Sequence, residues 1–106
     1  MLAEKSMPSA ETISSEMQMI VQTAASPFMP GDTVGRQIER AARVLGITAG
    51  QCKRFWYREH RAILAVEADR LRHWHALWQD KRIQQMDHEI TLMKAQRGKL
   101  EAWKNV

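Results

Sequence analysis

Between Tyr57 and Gly98 the chain contains neither glycine nor proline, so nothing in the backbone sets a hard stop to helix over about forty residues. A helix from Arg61 to Trp103 would run roughly 65 Å, well beyond the diameter of a domain this small. That stretch rules out one compact body for all 106 residues. It divides the chain into a small N-terminal part and a long helical appendage.

A seam can be traced along the appendage through Leu64, Leu71, Trp74, Trp78, Arg82, Met86, Ile90, Met93, Arg97 and Leu100, mostly in steps of three or four. The repeated steps of four from Trp74 to Ile90 give a period longer than that of a regular left-handed coiled coil, so a loose or locally straight pairing is expected. Tryptophans and aliphatic residues on such a stripe need cover, and the N-terminal part is too small to cover its full length. A second chain is the simplest cover. Leu64, Leu71, Trp74, Trp78, Met86, Ile90, Met93 and Leu100 are therefore the candidate oligomer interface, with a dimer favoured and the pairing direction open. A fold-back near Gln79 to Gln84, giving an intramolecular hairpin, is the alternative. Trp74, Leu77 and Trp78 together make a broader surface than a two-stranded seam uses, so this part is also a candidate for docking against the N-terminal helices or, through Trp74 and Trp78, a protein partner.

The N-terminal part reads as three helices after a polar, aperiodic start, Met1 to Ala10, that is expected to be disordered. Ile13, Met17, Ile20 and Ala24 recur at helical spacing and predict a first helix over roughly Glu11 to Ala25. Ser26-Pro27-Phe28-Met29-Pro30-Gly31-Asp32 ends it with two prolines and a glycine in close succession. Asp32 or Thr33 is placed to cap the next helix, with Phe28 or Met29 as a hydrophobic latch at its entry. That second helix carries Ile38, Ala41, Ala42 and Leu45 on one stripe and ends at Gly46, the residue able to take φ > 0. Ile47 then points an apolar side chain back toward the core. Thr48-Ala49-Gly50-Gln51 has the order of a capping box, so a third helix is expected to start near Ala49. Cys52, Phe55 and Trp56 share its inner side, which leaves Ala49, Gly50, Lys53, Arg54 and Tyr57 facing outward. A break near Arg58 to Arg61 is expected before the long helix.

Charge is unevenly placed along the chain. The net charge is +4, but Met1 to Pro30 carries Glu4, Glu11 and Glu16 against Lys5. From Arg36 to Arg61, Arg36, Arg40, Arg43, Lys53, Arg54, Arg58 and Arg61 face only Glu39 and Glu59. Such a concentration favours a polyanionic partner and salt-sensitive binding, because cations that neutralise phosphates release condensed counterions.

The segment Ile38 to Tyr57, IERAARVLGITAGQCKRFWY, resembles the bacterial and phage helix-turn-helix DNA-binding family. The residues that carry the resemblance are a small residue in the first helix (Ala42), a glycine four positions later (Gly46), an apolar residue directly after it (Ile47) and another six from the glycine (Cys52). Cys52 stands where Val, Ile or Leu is more usual, and a buried free Cys behaves as a small hydrophobe. The resemblance implies double-stranded DNA as the partner and the helix from Ala49 as the element that enters the major groove. Ala49, Lys53, Arg54 and Tyr57 are then the candidate base readers, and Arg36, Arg40, Arg43, Thr48, Arg58 and Arg61 the candidate phosphate contacts.

Other chemistry finds no foothold. His73 and His75 with Asp69 invite a metal hypothesis, but residues two apart on a helix do not share a face, and His60, His88 and Cys52 lie in distant stretches. Cys52 falls on the packing side of its helix, where a nucleophile has no use. No phosphate-cradling glycine loop or carboxylate pair is present, so neither an enzyme nor a cofactor is expected. A single cysteine excludes an intramolecular disulfide, and no stretch has the character of a transmembrane helix or a signal peptide, so a cytoplasmic location is expected.

The expected fold is all-α: a small helix-turn-helix unit over residues 11–60, then a long amphipathic, coiled-coil-like helix over 61–106. The expected function is that of a small bacterial or phage transcriptional regulator acting as an oligomer. A phage DNA-processing accessory protein, such as a small terminase subunit or a recombination directionality factor, uses the same two parts. A helical adaptor or inhibitor acting through the tryptophans is the reading without DNA.

Overall fold

A computed structural model of the chain describes residues 10–59 and 62–104. The expected loose start up to residue 9 and the phosphate candidate Arg61 lie outside the described residues. Four helices and no strand are formed among the described residues: α1 (Ala10–Ala24), α2 (Val34–Leu45), α3 (Ala49–Trp56) and α4 (Ala65–Lys104).

The apolar stripe of α1 turns inward as its spacing predicts, with Met17 and Ile20 fully buried and Ala24 nearly so. Val21 and Ala25 are fully buried as well, which widens the stripe so that α1 packs on both α2 and α3. On α2 the buried side is Ile38, Ala41, Ala42 and Leu45. The two alanines have no bulk to hold a neighbouring helix away, so α1 and α3 can approach closely. Midway along α1, Gln18 Nε2 donates to the carbonyl of Trp56 at 2.8 Å and ties α1 to the last residue of α3.

The ends of these helices are set by local chemistry. Thr33 is the N-cap of α2, accepting the Arg36 N–H at 3.1 Å. Asp32 has a different role: its carboxylate takes two bonds from Arg40 Nη2, at 2.7 and 2.9 Å, and accepts the Met29 N–H at 2.9 Å. Arg40 Nη1 also donates to the Ala25 carbonyl at 2.6 Å, so Asp32 and Arg40 clamp the proline-rich connection onto α2. The clamp replaces the expected hydrophobic latch, since Phe28 and Met29 are both more than half exposed.

The unit extends beyond the three helices. Ala68 is almost completely buried and Leu71 completely so in the same core, and Ile63 and Trp74 pack at its margin. The compact N-terminal unit therefore runs to Trp74 rather than ending near residue 60, and a second unit begins at His75. This corrects two of the interface assignments: Leu71 is a core residue, and Trp74 belongs against the core. Three short helices leave an open flank, and the first turns of α4 fill it. Polar ties reinforce the docking, with Arg72 making two bonds to the Glu16 carboxylate (2.9 and 2.7 Å) and Arg70 donating to the Gly46 carbonyl at 3.0 Å.

The break before α4 is real and lies at the expected place. α4 begins at Ala65, where Glu67 reaches back to accept the Leu64 N–H at 3.1 Å. Leu64 thus precedes the helix and takes no place on a helical seam. From Ala65 to Lys104 the helix is unbroken, so the fold-back near Gln79 to Gln84 does not occur. Within the second unit every described side chain from Gln79 onward is exposed. Among the described residues no helix is long and apolar enough to cross a membrane.

Candidate nucleic-acid interface

The α2–turn–α3 segment is held by three local devices. Gly46 adopts φ 71°, in the left-handed region, and its N–H closes α2 onto the Ala42 carbonyl at 2.9 Å. Thr48 caps α3 by accepting the Gln51 N–H at 3.1 Å, while Gln51 Oε1 accepts the Thr48 N–H at 3.2 Å, completing the capping box. At the other end, the Glu59 N–H reaches the Arg54 carbonyl at 2.9 Å across Arg58, which sits at φ 57°. These devices fix where α3 starts and stops.

The inner side of α3 anchors it. Cys52 is completely buried, Phe55 and Trp56 nearly so, and burial pushes the Cys52 thiol up to about 11. A thiol held protonated in the core is a packing group. The opposite side presents Ala49, Gly50, Lys53, Arg54 and Tyr57, all exposed. Ala49, Lys53 and Tyr57 follow one another at intervals of four and line a shallow open groove with Val34, Gly35, Ile38, Glu39 and Gly50. Arg54 stands on the neighbouring row, four residues after Gly50. The contribution of Val34, Gly35 and Glu39 to this groove was not anticipated. Its signal was the short turn at Gly46, which folds α3 back against α2 so that the two helices share a face.

The six phosphate candidates fall into different environments. Arg36, Arg43 and Arg58 are exposed. Thr48 is exposed; its hydroxyl oxygen accepts the Gln51 N–H, and its hydroxyl proton is the group it can offer to a phosphate. Arg40 is held by Asp32 and Ala25, with its side chain only 24% exposed, so its guanidinium serves the fold. In return, the Arg40 bonds, with help from the Met29 N–H, hold the Asp32 carboxyl below the usual range for an aspartate.

The remaining interface candidates lie along α4. Trp78 is half-buried and its neighbour His75 stacks on it at 5.9 Å between ring centroids, the planes 13° apart. Met86, Ile90, Met93 and Leu100 are 41% to 65% exposed. Trp78 and Ile90 are twelve residues apart, which on a straight helix places them about 120° round from each other, so a single seam does not hold both. Among the described residues no three metal-ligating side chains come together.

The chain matches no protein-family model, no curated protein and no solved structure.

Proposed function

We propose that this protein is a sequence-specific double-stranded-DNA-binding protein, of the class of small bacterial or phage transcriptional regulators, that acts as an oligomer. The observation that carries the reading is α3 itself: a two-turn helix with a buried Cys52–Phe55–Trp56 side and an exposed Ala49–Lys53–Arg54–Tyr57 side. It is presented by a left-handed glycine turn and a complete capping box. A short helix fixed at both ends suits insertion into a major groove about 12 Å wide.

In this reading Arg54 donates in bidentate fashion to guanine O6 and N7, Lys53 reaches an adjacent base edge, and Ala49 contacts a thymine methyl. Tyr57, which lines the same groove as Ala49 and Lys53, donates to a phosphate or base. Arg36, Arg43 and Arg58 neutralise flanking phosphates, with Thr48 donating its hydroxyl proton, and position the helix without reading sequence. Arg40 leaves that set. Two or three strong readers per chain discriminate poorly alone, and a second copy doubles the contact.

The test is selection of bound duplexes from a random pool by the full chain, followed by sequencing, with Arg54→Ala in parallel. Enrichment of a repeated or palindromic motif, relaxed at one base position by Arg54→Ala, is the expected outcome. An unenriched pool bound with steep salt dependence would reduce the reading to phosphate contact. No binding at all would favour a helical adaptor instead.

A further inference from the structure

The exposed apolar residues of the second unit have an order of their own. Ile83, Met86, Ile90, Met93, Arg97 and Leu100 step by three, four, three, four and three, which is the alternation of heptad positions a and d. Ile83 is 52% exposed and takes the place that the seam traced through Arg82 had missed. Extended by Ala76 at a, Gln79 at d and Lys104 at a, the repeat occupies all of the second unit that is described. Trp78 and Leu77 fall outside it.

We infer that Ala76–Lys104 pairs with a second copy of this chain as a parallel, in-register, two-stranded coiled coil. The inference rests on the oligomer part of the proposed function and adds its direction and register. The core positions suit two strands: β-branched Ile83 and Ile90 at a, with unbranched or γ-branched Met86, Met93 and Leu100 at d. The flanking charges choose the direction. In a parallel pair each g residue faces the e residue five positions later in the partner chain, which sets Arg82 against Asp87 and Glu89 against Lys94, both of opposite sign. The two outer pairs, His75 with Asp80 and Gln96 with Glu101, bring no like charges together. In the antiparallel alignment that overlaps the same stretch, e faces e: Asp87 meets Lys94 twice, but Asp80 meets Glu101 twice, which offsets that gain. The parallel arrangement is free of that repulsion.

Arg97 sets the register. It is the one charged residue inside the apolar a/d run, and it holds Glu101 of its own chain at 3.2 Å. In register, the two Arg97 side chains share a level, each carrying its own carboxylate. A slip by one heptad would set Arg97 against Ile90 on one side and against Lys104 on the other. Because the α3-bearing unit precedes α4 in the sequence, parallel pairing brings both copies of α3 to the same end of the pair by connectivity.

The test is sedimentation equilibrium of the full chain over a wide concentration range, with four variants. Wild type is expected to dimerise and Ile90→Asp to remain monomeric. Glu89→Lys, which sets Lys against Lys94 in both copies, is expected to weaken the dimer about tenfold, and Glu89→Lys with Lys94→Glu to restore it. A monomeric wild type overturns the inference. A dimer untouched by Glu89→Lys, or one that keeps its affinity in Asp87→Lys with Lys94→Glu, overturns the parallel arrangement, since Lys94 would then face Asp87. Every variant is at an exposed position of the second unit, and continued protection of the buried Cys52 from a thiol reagent shows that the first unit is intact. DNA selection is read separately: a dimer without an enriched motif removes the regulator reading and leaves this one, and a motif bound by a monomer does the reverse.

Discussion

Leu71→Ala distinguishes a core residue from an interface residue, and the structure supplies the magnitude. Leu71 is completely buried within its own chain, in a core that includes five alanines, Ala24, Ala25, Ala41, Ala42 and Ala68. Truncation removes three carbons, a transfer loss of about 2.4 kcal/mol at about 0.8 kcal/mol for each. The cavity left behind adds about 1 kcal/mol, kept near the low end because Ile63 and Trp74 pack at the margin of the core and can move inward. A total of about 3.5 kcal/mol corresponds to a fall in Tm of about 15–25 °C for a unit of this size. The measurement is urea and thermal unfolding of the full chain, followed by tryptophan fluorescence at low and high protein concentration. A loss independent of concentration is expected. A loss under about 1 kcal/mol, or one that vanishes as concentration rises, would refute the placement of α4 in the N-terminal core.

Other perturbations probe the turn, the strained residue and the clamp. Gly46→Ala meets nothing within 4 Å of its new Cβ, so its expected cost of about 1 kcal/mol comes from the left-handed backbone alone, and Gly46→Asn should cost less in the same unfolding assay. Arg58→Gly is expected to raise stability by about 0.5 kcal/mol, because relief of the left-handed conformation at φ 57° outweighs the added freedom of the unfolded chain, while lowering the salt slope of DNA binding by about one. Destabilisation by Arg58→Gly would mean that the guanidinium serves the fold. The Asp32 carboxyl is held below its unfolded value, so its clamp contributes fully above pH 3.8, and that contribution is lost as pH falls through the lower folded value. Arg40→Met should flatten that acid limb of the stability curve, and an unaltered limb would assign it to other carboxylates.

What could be read from the sequence, and what could not, follows from the range of the interactions involved. Gly46 and the Thr48–Gln51 capping box act within a turn of chain, so their residues announce them, and the inner and outer sides of α3 follow once its start is fixed. The Asp32–Arg40 clamp was illegible because Asp32 is as good an N-cap as Thr33 by residue type, and only the folded connection decides between them. The long helix misled for a different reason. Its apolar residues serve two purposes in succession, since Ala68, Leu71 and Trp74 face the three-helix core while Ile83 to Leu100 keep a separate repeat. A single stripe forced through both sets must take steps of four, each turning about 40° further round the helix, and so acquires a period that belongs to neither. Once Leu71 is assigned to the core, the remaining residues no longer need to share a line with the tryptophans. Ile83 then replaces Arg82, and the interval returns to the alternation of three and four that two identical helices can bury together.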